Sequence, residues 1–125
     1  MLSNSRKQFG QKGEDSACAY LAKHKYKIIE RNFRTRNGEI DIIAIDTSEN
    51  PPTLVFIEVK TRFSNAFGEP LESIGFYKLK ALERTAIFYQ ASHPNLPGNM
   101  RLDAVAVSMD YDGTVKNIQL IKNIS

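Results

Sequence analysis

The chain has 125 residues, enough for one domain that buries a core of its own. Its hydrophobic content of 42% and charged content of 25% are ordinary for a globular protein and exclude a disordered or fibrous chain. The sequence has no apolar stretch near the roughly 20 residues that cross a bilayer, and residues 1–13 lack the apolar centre of a signal peptide. Because Cys18 is the only cysteine, we expect a cytoplasmic protein without an intrachain disulfide or a thiolate zinc cluster.

Charge is distributed unevenly along the chain. Residues 1–38 hold nine Lys/Arg against three Asp/Glu, a net charge of +6, whereas the remaining residues hold eight against eleven, a net charge of −3. The first third is therefore a candidate surface for phosphate groups. A solvated basic face without a partner is the plain alternative.

The first predicted element is a helix over residues 11–24. Ala17, Cys18 and Leu21 recur at helical spacing and form its apolar stripe, in which Cys18 is expected to pack as a small apolar residue. Glu14 belongs to the same stripe, one turn earlier. This carboxylate is either a functional group at the rim of the buried face or a first-turn residue that interacts with the helix dipole.

A hairpin is predicted next, with a first strand over residues 26–34 and a second over residues 39–45. Asn37-Gly38 between them is typical of the two central positions of a type I′ turn. Alternation along the second strand separates two faces, Ile40, Ile42 and Ala44 on one and Glu39, Asp41, Ile43 and Ile45 on the other. Unpaired buried charges cost several kcal/mol, so Glu39 and Asp41 at the start of a buried face require an explanation.

The third strand, over residues 54–62, is predicted to be the centre of the sheet. Four apolar residues, Leu54 to Ile57, indicate a strand that is covered on both faces. Glu58 and Lys60 follow directly and point to the same face, roughly 7 Å apart. An acid and a lysine at the exit of a buried strand are hard to explain by packing.

The remaining elements complete an α/β fold with a mixed sheet between helices. We predict loops over residues 46–53 and 64–70, a helix over 71–92, a strand over 102–107, a turn over 111–113 and an edge strand over 115–124. The order is helix, three strands, helix, two strands, with the first three strands antiparallel. The sequence shows no second domain.

The convergence of carboxylates predicts a site for a hard divalent cation. Asp41 and Glu58 are the expected metal ligands, since Mg²⁺ uses one or two carboxylates together with waters and phosphate oxygens. The backbone carbonyl of Val59 is a further expected ligand, and Glu14 is expected to bind a second ion or a water. Lys60 would orient the attacking water and neutralise charge on phosphorus. The alternative is that these side chains form ordinary ion pairs.

These residues resemble those of the bacterial YraN-type family of small proteins. That family is similar to archaeal Holliday-junction resolvases and, by resemblance, to the restriction-endonuclease-like PD-(D/E)XK superfamily. The match runs in order from about residue 10 to residue 107. It comprises Gly13-Glu14, Ala17, Tyr20-Leu21, Ile29 to Arg34, Gly38 to Ala44, Phe56 to Arg62, Phe67-Gly68-x-Pro70 and Arg101-x-Asp103.

The resemblance implies a restriction-endonuclease-like αβββαβ core over residues 10–110, in which Asp41, Glu58 and Lys60 are the catalytic set and Glu14 is the carboxylate of the first helix. Ile40 stands where the superfamily has a proline. We expect Mg²⁺ or Mn²⁺ as cofactor, DNA more than RNA as partner, and a homodimer as one arrangement. The candidate phosphate-contacting residues are Arg31, Arg34, Arg36, Arg62 and Lys78.

The functional hypothesis is a metal-dependent endonuclease acting on branched or single-stranded DNA. Two alternatives stay open. One is a nucleic-acid-binding module that keeps the fold without turnover, and the other is a structural or protein-interaction domain in which the carboxylates are salt-bridged.

Overall fold

The computed structural model describes residues 2–63 and 74–125, with side chains from residue 7 onward. The elements are α1 (Leu2–Lys23), β1 (Tyr26–Thr35), β2 (Gly38–Asp46), β3 (Thr53–Phe63), α2 (Phe76–Ser92), β4 (Met100–Met109) and β5 (Val115–Ile121). This order confirms the predicted α/β fold and is consistent with a restriction-endonuclease-like core. Within the described residues, neither helix carries the long apolar stretch that crossing a bilayer requires.

The five strands form one mixed sheet in the order β1-β2-β3-β4-β5. The pairs β1/β2, β2/β3 and β4/β5 are antiparallel, and β3/β4 is parallel. A parallel pair needs a crossover connection, and α2 lies within that connection. β3 is the central strand and β5 an edge strand, as predicted.

One helix covers each face of the sheet. On one face, Ala17 and Leu21 of α1 join Val55 and Ile57 of β3 in a fully buried cluster, against which the free thiol of Cys18 packs. On the other face α2 buries an apolar stripe, formed by Leu82, Ala86 and Tyr89, against Leu54 and Phe56. Because neighbouring residues of β3 point to opposite faces, its continuous apolar run supplies both layers.

Both helices differ from their predicted bounds. α1 begins at Leu2, nine residues before the predicted start. Phe9, in the added segment, packs against the core between α1 and the sheet, which we call the α1-side cluster. α2 begins at Phe76, because Gly75 is extended (φ −80°, ψ 174°) and forms the N-cap. The predicted loop 64–70 and residues 71–73 lie outside the described residues.

The turn between β1 and β2 is one residue out of the predicted position. Thr35 pairs with Gly38, so the central residues are Arg36 and Asn37. Neither has the positive φ that a type I′ turn requires. Instead, the N–H of Asn37 donates to Thr35 Oγ1 over 3.1 Å, and the positive φ falls on Gly38 at +156°, which explains the glycine there.

The predicted faces of β2 are wrong at its start. Ile42 and Ala44 both lie in the α1-side cluster, as predicted. Ile40, however, lies with Ile43 in the core between α2 and the sheet, the α2-side cluster. Regular alternation would put Ile40 and Ile42 on the same face. The strand therefore changes its regular geometry at the residue between them, Asp41.

Candidate metal and catalytic site

Asp41 lies where β2 separates from β3. The last paired residues of these strands are Ile42 and Ile57. If the pairing continued for two more residues, Ile40 would lie opposite Val59. Instead, the N–H of Val59 donates to Asp41 Oδ2 over 2.8 Å. A side-chain carboxylate thus occupies the place of a backbone acceptor, which holds Asp41 beside the exit of the central strand.

The neighbouring strand is distorted at the same level. Asn32 in β1 lies between the residues paired with Ile40 and Ile42, and its φ is +55°. Positive φ is uncommon for residues other than glycine, and asparagine is among the residue types that tolerate it. β1 and β2 therefore change geometry together at Asp41.

Glu58 and Lys60 point to the same face of β3, as predicted, and Glu58 is only 4% exposed. Lys60 Nζ lies 3.8 Å from Glu58 Oε1. Lys78, in the first turn of α2, places its Nζ 2.8 Å from the same oxygen. This contact was not predicted, because nothing in the sequence states how α2 docks on β3.

The surroundings of Asp41 disfavour its charged form. Burial and the Glu58 charge raise the pKa of Asp41 to about 7, against the opposing effect of the Val59 hydrogen bond. The charges of Glu14 and Glu39 raise it further. The hydrogen bond with Glu58 raises the pKa of Lys78 in turn. The charged form of Asp41 is therefore disfavoured beside Glu58, and a cation bound between the two carboxylates would relieve that repulsion.

Glu14 is brought to this site by a close helix–strand contact. A Cβ added at Gly13 would overlap with Thr61 Oγ1 of β3, so only glycine allows α1 to approach so closely. Glu14 follows directly and is near enough for its charge to act on Asp41. Its Oε1 also accepts from Arg31 over 3.1 Å, and Arg31 binds Asp15 over 2.8 Å. We call Glu14, Asp41, Glu58, Lys60 and Lys78 the carboxylate site.

The other predicted phosphate-contacting residues differ in their surroundings. Arg31 is engaged by Glu14, while Arg34 and Glu39 form an exposed ion pair at 3.0 Å. Arg36 is exposed in the β1–β2 turn, and Arg62 follows Lys60 on the same face of β3. Their role as phosphate contacts stays a prediction.

The donor set fits a hard cation that keeps part of its water shell. Within residues 2–63 and 74–125, no three His, Cys, Asp or Glu side chains lie close enough together to hold a metal ion, so any site would rest on fewer protein carboxylates. Asp41 and Glu58 are two carboxylates, which is the number that Mg²⁺ uses when waters and substrate phosphates supply the rest. The carbonyl of Val59 is available on the same side, because a strand residue directs its N–H and C=O toward the same neighbour. Val59 therefore remains a predicted ligand.

A second group of charges lies toward the other end of the sheet. Arg101 donates to both Asp46 Oδ2 and Asp103, each contact being 2.8 to 2.9 Å long, and both carboxylates are fully buried. Tyr26 donates to Asp103 Oδ2 over 2.9 Å, and Lys122 reaches Asp46 at 3.5 Å. We call these five residues the arginine network. Arg101 and Asp103 stood out in the sequence only as part of the family resemblance, and their contacts in the core were not predicted.

The fold and site together define a small α/β protein with buried carboxylates at the exit of a central strand. A family model described as "Uncharacterised protein family UPF0102" matches residues 13–107. The chain is similar to UPF0102 proteins of Geobacter metallireducens (38% identity, 98% of this chain and 95% of the relative) and Moorella thermoacetica (41% identity, 97% and 98%). A UPF0102 protein of Caldicellulosiruptor bescii is 42% identical over 94% of this chain and 96% of its own. The chain belongs to the UPF0102 family, which confirms the YraN-type resemblance.

Proposed function

We propose that this protein is a Mg²⁺- or Mn²⁺-dependent endonuclease that hydrolyses phosphodiester bonds in branched or single-stranded DNA, on a PD-(D/E)XK-type nuclease core. The observation that carries the proposal is the juxtaposition of Asp41 and Glu58 beside Lys60, in a place where β2 leaves its regular ladder. The buried Glu58 raises the pKa of the partly buried Asp41 beside it, so the fold holds the two carboxylates together at a cost in stability. A cation bound by both of them would offset that cost, which supports the proposal.

The chain's own residues have distinct roles in this proposal. Asp41 and Glu58 would hold the ion, with the Asp41 carboxylate fixed by the Val59 N–H. A divalent ion bound there would polarise the scissile phosphate and make a nearby water more acidic. Lys60, with its ammonium 3.8 Å from Glu58, would orient the attacking water and stabilise the negative charge that grows on the phosphate.

Lys78 supplies the second ammonium of the site. It is 45% exposed and neutralises Glu58 over 2.8 Å. An ion bound by Glu58 would take over that neutralising role, which would leave the Lys78 ammonium to contact a phosphate of the DNA. Lys78 would therefore change partners between the metal-free and the metal-bound protein.

A DNA-binding module without turnover is the second candidate. It is favoured by one observation, which is that two lysines already neutralise Glu58. In such a module the basic surface would bind DNA and weaken steeply with salt, but divalent ions would not change binding.

Cleavage assays with duplex, flap and four-way-junction DNA distinguish the two candidates. The wild type should cut at least one substrate with Mg²⁺ or Mn²⁺ and none with EDTA. Asp41→Asn should lower the rate by about a hundredfold or more, because it would weaken binding of the ion that polarises the phosphate, and loss of such charge stabilisation has effects of that size. Glu83→Gln, which removes an acid from a partly exposed ion pair on α2, is the matched control and should cut like wild type. Equal cutting by Asp41→Asn, or no cutting of any substrate, would remove the enzyme proposal.

A further inference from the structure

The β1 strand directs Arg31 toward α1 by two departures from regular geometry. Side chains two residues apart in a regular strand point to the same face, and Ile29 and Phe33 both pack against the α2-side cluster. Regular alternation would therefore turn Arg31 toward α2 as well, yet its guanidinium contacts α1. The register with β2 shifts before Arg31, and Asn32 directly after it has a φ of +55°. Such backbone outliers are concentrated at functional sites.

Two consecutive acids of α1 hold the Arg31 guanidinium. Its Nε and Nη2 donate to Glu14 Oε1 over 3.2 and 3.1 Å, and Nη2 also donates to Asp15 Oδ1 over 2.8 Å. A phosphate that approached Arg31 would meet two carboxylates already bound to it, and charge-assisted hydrogen bonds of this kind are strong. These contacts argue against the phosphate contact that the sequence predicts for this residue.

The two acids differ in their surroundings. The Glu14 side chain is 13% exposed and the Asp15 side chain 57% exposed, with Arg31 at 33% between them. An ionised acid as little exposed as Glu14 needs a partner within the protein. Arg31 is that partner, and its second contact, with the exposed Asp15, restricts where the guanidinium can lie.

Arg31 uses only one of the two oxygens of Glu14. Both of its hydrogen bonds to Glu14 go to Oε1, and no group in the described part of the chain donates to Oε2. Every fully buried side-chain nitrogen or oxygen of those residues has a partner, so Oε2 is accessible to water. Arg31 thus fixes the Glu14 carboxylate and leaves one acceptor available.

Glu14 lies near Asp41 without completing a direct metal site. Its charge contributes to the raised pKa of Asp41, so the two carboxylates are close. Among the residues that the structure describes, however, no three acids are near enough to one another to bind one ion. A carboxylate at that distance would act through a water that the ion keeps, and outer partners of this kind change metal affinity.

We propose that Arg31 is a positioning residue, which holds Glu14 Oε1 so that Oε2 accepts a hydrogen bond from a water of the bound cation. The inference rests on the proposed function and deepens it, because it assigns Glu14 and Arg31 their roles at the same site. Asp15 holds the other side of the guanidinium. Arg31 then acts on the cation through Glu14 and has no contact with DNA phosphate.

Calorimetric titration of Mn²⁺ into metal-free protein at pH 8 tests this role without cleavage. Glu14→Gln should weaken Mn²⁺ binding by about tenfold, since loss of an outer partner of a metal site has effects of that size, and Arg31→Gln, one step further from the ion, by at least about threefold. The combined variant should bind like Glu14→Gln, because the two residues act as one unit. Lys27→Gln, which removes an exposed cation from the same strand, is the matched control and should bind like wild type. Melting curves check that each variant is folded.

The direction of the Arg31→Gln effect separates positioning from charge. A positive charge near a cation site repels the cation, so loss of an arginine that acted by charge alone would tighten Mn²⁺ binding. Tighter or unchanged binding by Arg31→Gln would therefore overturn the proposal. A further loss of affinity when Arg31→Gln is added to Glu14→Gln would overturn it too, because the arginine would then act through the general structure of α1 and β1.

DNA binding in EDTA tests the phosphate contact that the proposal replaces. Fluorescence anisotropy with a labelled four-way junction at several salt concentrations gives the slope of log affinity against log salt. The slope should be the same for wild type and Arg31→Gln. A slope lower by about one for Arg31→Gln would show that this residue contacts a phosphate, against the proposal.

The positioning role and the proposed function can fail separately. If the wild type binds Mn²⁺ and cuts DNA but Arg31→Gln binds Mn²⁺ equally well, only the positioning role is lost. If the Mn²⁺ affinities follow the expected pattern but no DNA substrate is cut, the positioning role stands and the nuclease proposal fails.

Discussion

The arginine network buries two acids, and the carboxylate site brings the buried Glu58 close to the partly buried Asp41, but the acids are neutralised differently. Asp46 and Asp103 share Arg101, and hydrogen bonds from Ser48 and Arg101 outweigh burial and lower the pKa of Asp46 to about 2. At the carboxylate site, burial and the charge of Glu58 raise the pKa of Asp41 to about 7. The folded state therefore favours the charged form of Asp46 and disfavours the charged form of Asp41.

This difference separates a structural role from a functional one. A buried acid that receives several donors connects the strands that carry them, and the arginine network joins β1, β2, β4 and the segment after β5. A buried acid whose neighbours are other acids lowers stability. Under the proposed function, the fold accommodates that cost at a strand exit where a cation and a phosphate would bind, and perturbed acids of this kind are concentrated at functional sites.

The largest expected effect is on the arginine network. Arg101→Ala should lower the free energy of unfolding by about 3–5 kcal/mol, because it leaves two fully buried carboxylates without their shared partner. Urea unfolding followed by circular dichroism measures this. Arg84→Ala on the exposed side of α2 is the control and should change stability by less than about 0.5 kcal/mol. A loss below about 1 kcal/mol for Arg101→Ala would show that the network is not structural.

Asparagine in place of Asp41 and asparagine in place of Asp46 should have opposite effects on stability. Asp41→Asn keeps an acceptor for the Val59 N–H and removes repulsion with Glu58, so it should stabilise the protein at pH 8 by at least about 1 kcal/mol. Asp46→Asn weakens the contact with Arg101 and should destabilise it. The same unfolding experiment compares both variants. A loss of stability in Asp41→Asn would mean that Asp41 is structural as well.

The two acids should also be distinguishable by pH. The folded-state pKa of Asp46 is about 2 and its ordinary value 3.8, so its stabilising effect is complete above about pH 4 and is lost as the pH falls toward 2. For Asp41 the folded pKa is about 7, so its penalty is absent below about pH 4 and complete above about pH 7. Stability curves of Asp46→Asn and Asp41→Asn, each subtracted from wild type, should change in these separate windows. Overlapping windows would contradict the contrast.

The smallest expected effect concerns Lys78. Lys78→Met should change stability by less than about 1 kcal/mol, because the ion pair with Glu58 is partly exposed. Without the competing ammonium, Mn²⁺ should bind a few times more tightly, whereas DNA should bind a few times more weakly in the presence of the ion. Calorimetric titration and fluorescence anisotropy measure the two affinities. Unchanged Mn²⁺ affinity would show that Lys78 does not compete for Glu58.

Much of the fold could be predicted from periodicity. The apolar run at residues 54–57 identified the central strand, and alternation placed Glu58 and Lys60 on one face. Helical spacing identified the stripe of Ala17 and Leu21. These features depend on local patterns that repeat along an element, and local patterns are what a sequence displays.

The remaining features depend on contacts between distant segments. The face of Ile40 was wrong because β2 departs from regular alternation at Asp41, which nothing in residues 39–45 indicates. The contact of Lys78 with Glu58 depends on how α2 docks. The arginine network joins residues up to 77 positions apart, so neither its members nor their burial followed from spacing.

Calorimetric titration of Mn²⁺ into metal-free protein at pH 8 tests the central claim most directly, namely that Asp41 and Glu58 form a cation site. Wild type should show saturable binding, Asp41→Asn and Glu58→Gln should show little or none, and Glu83→Gln should bind like wild type. No binding by the wild type, or the same binding by Asp41→Asn, would contradict the account.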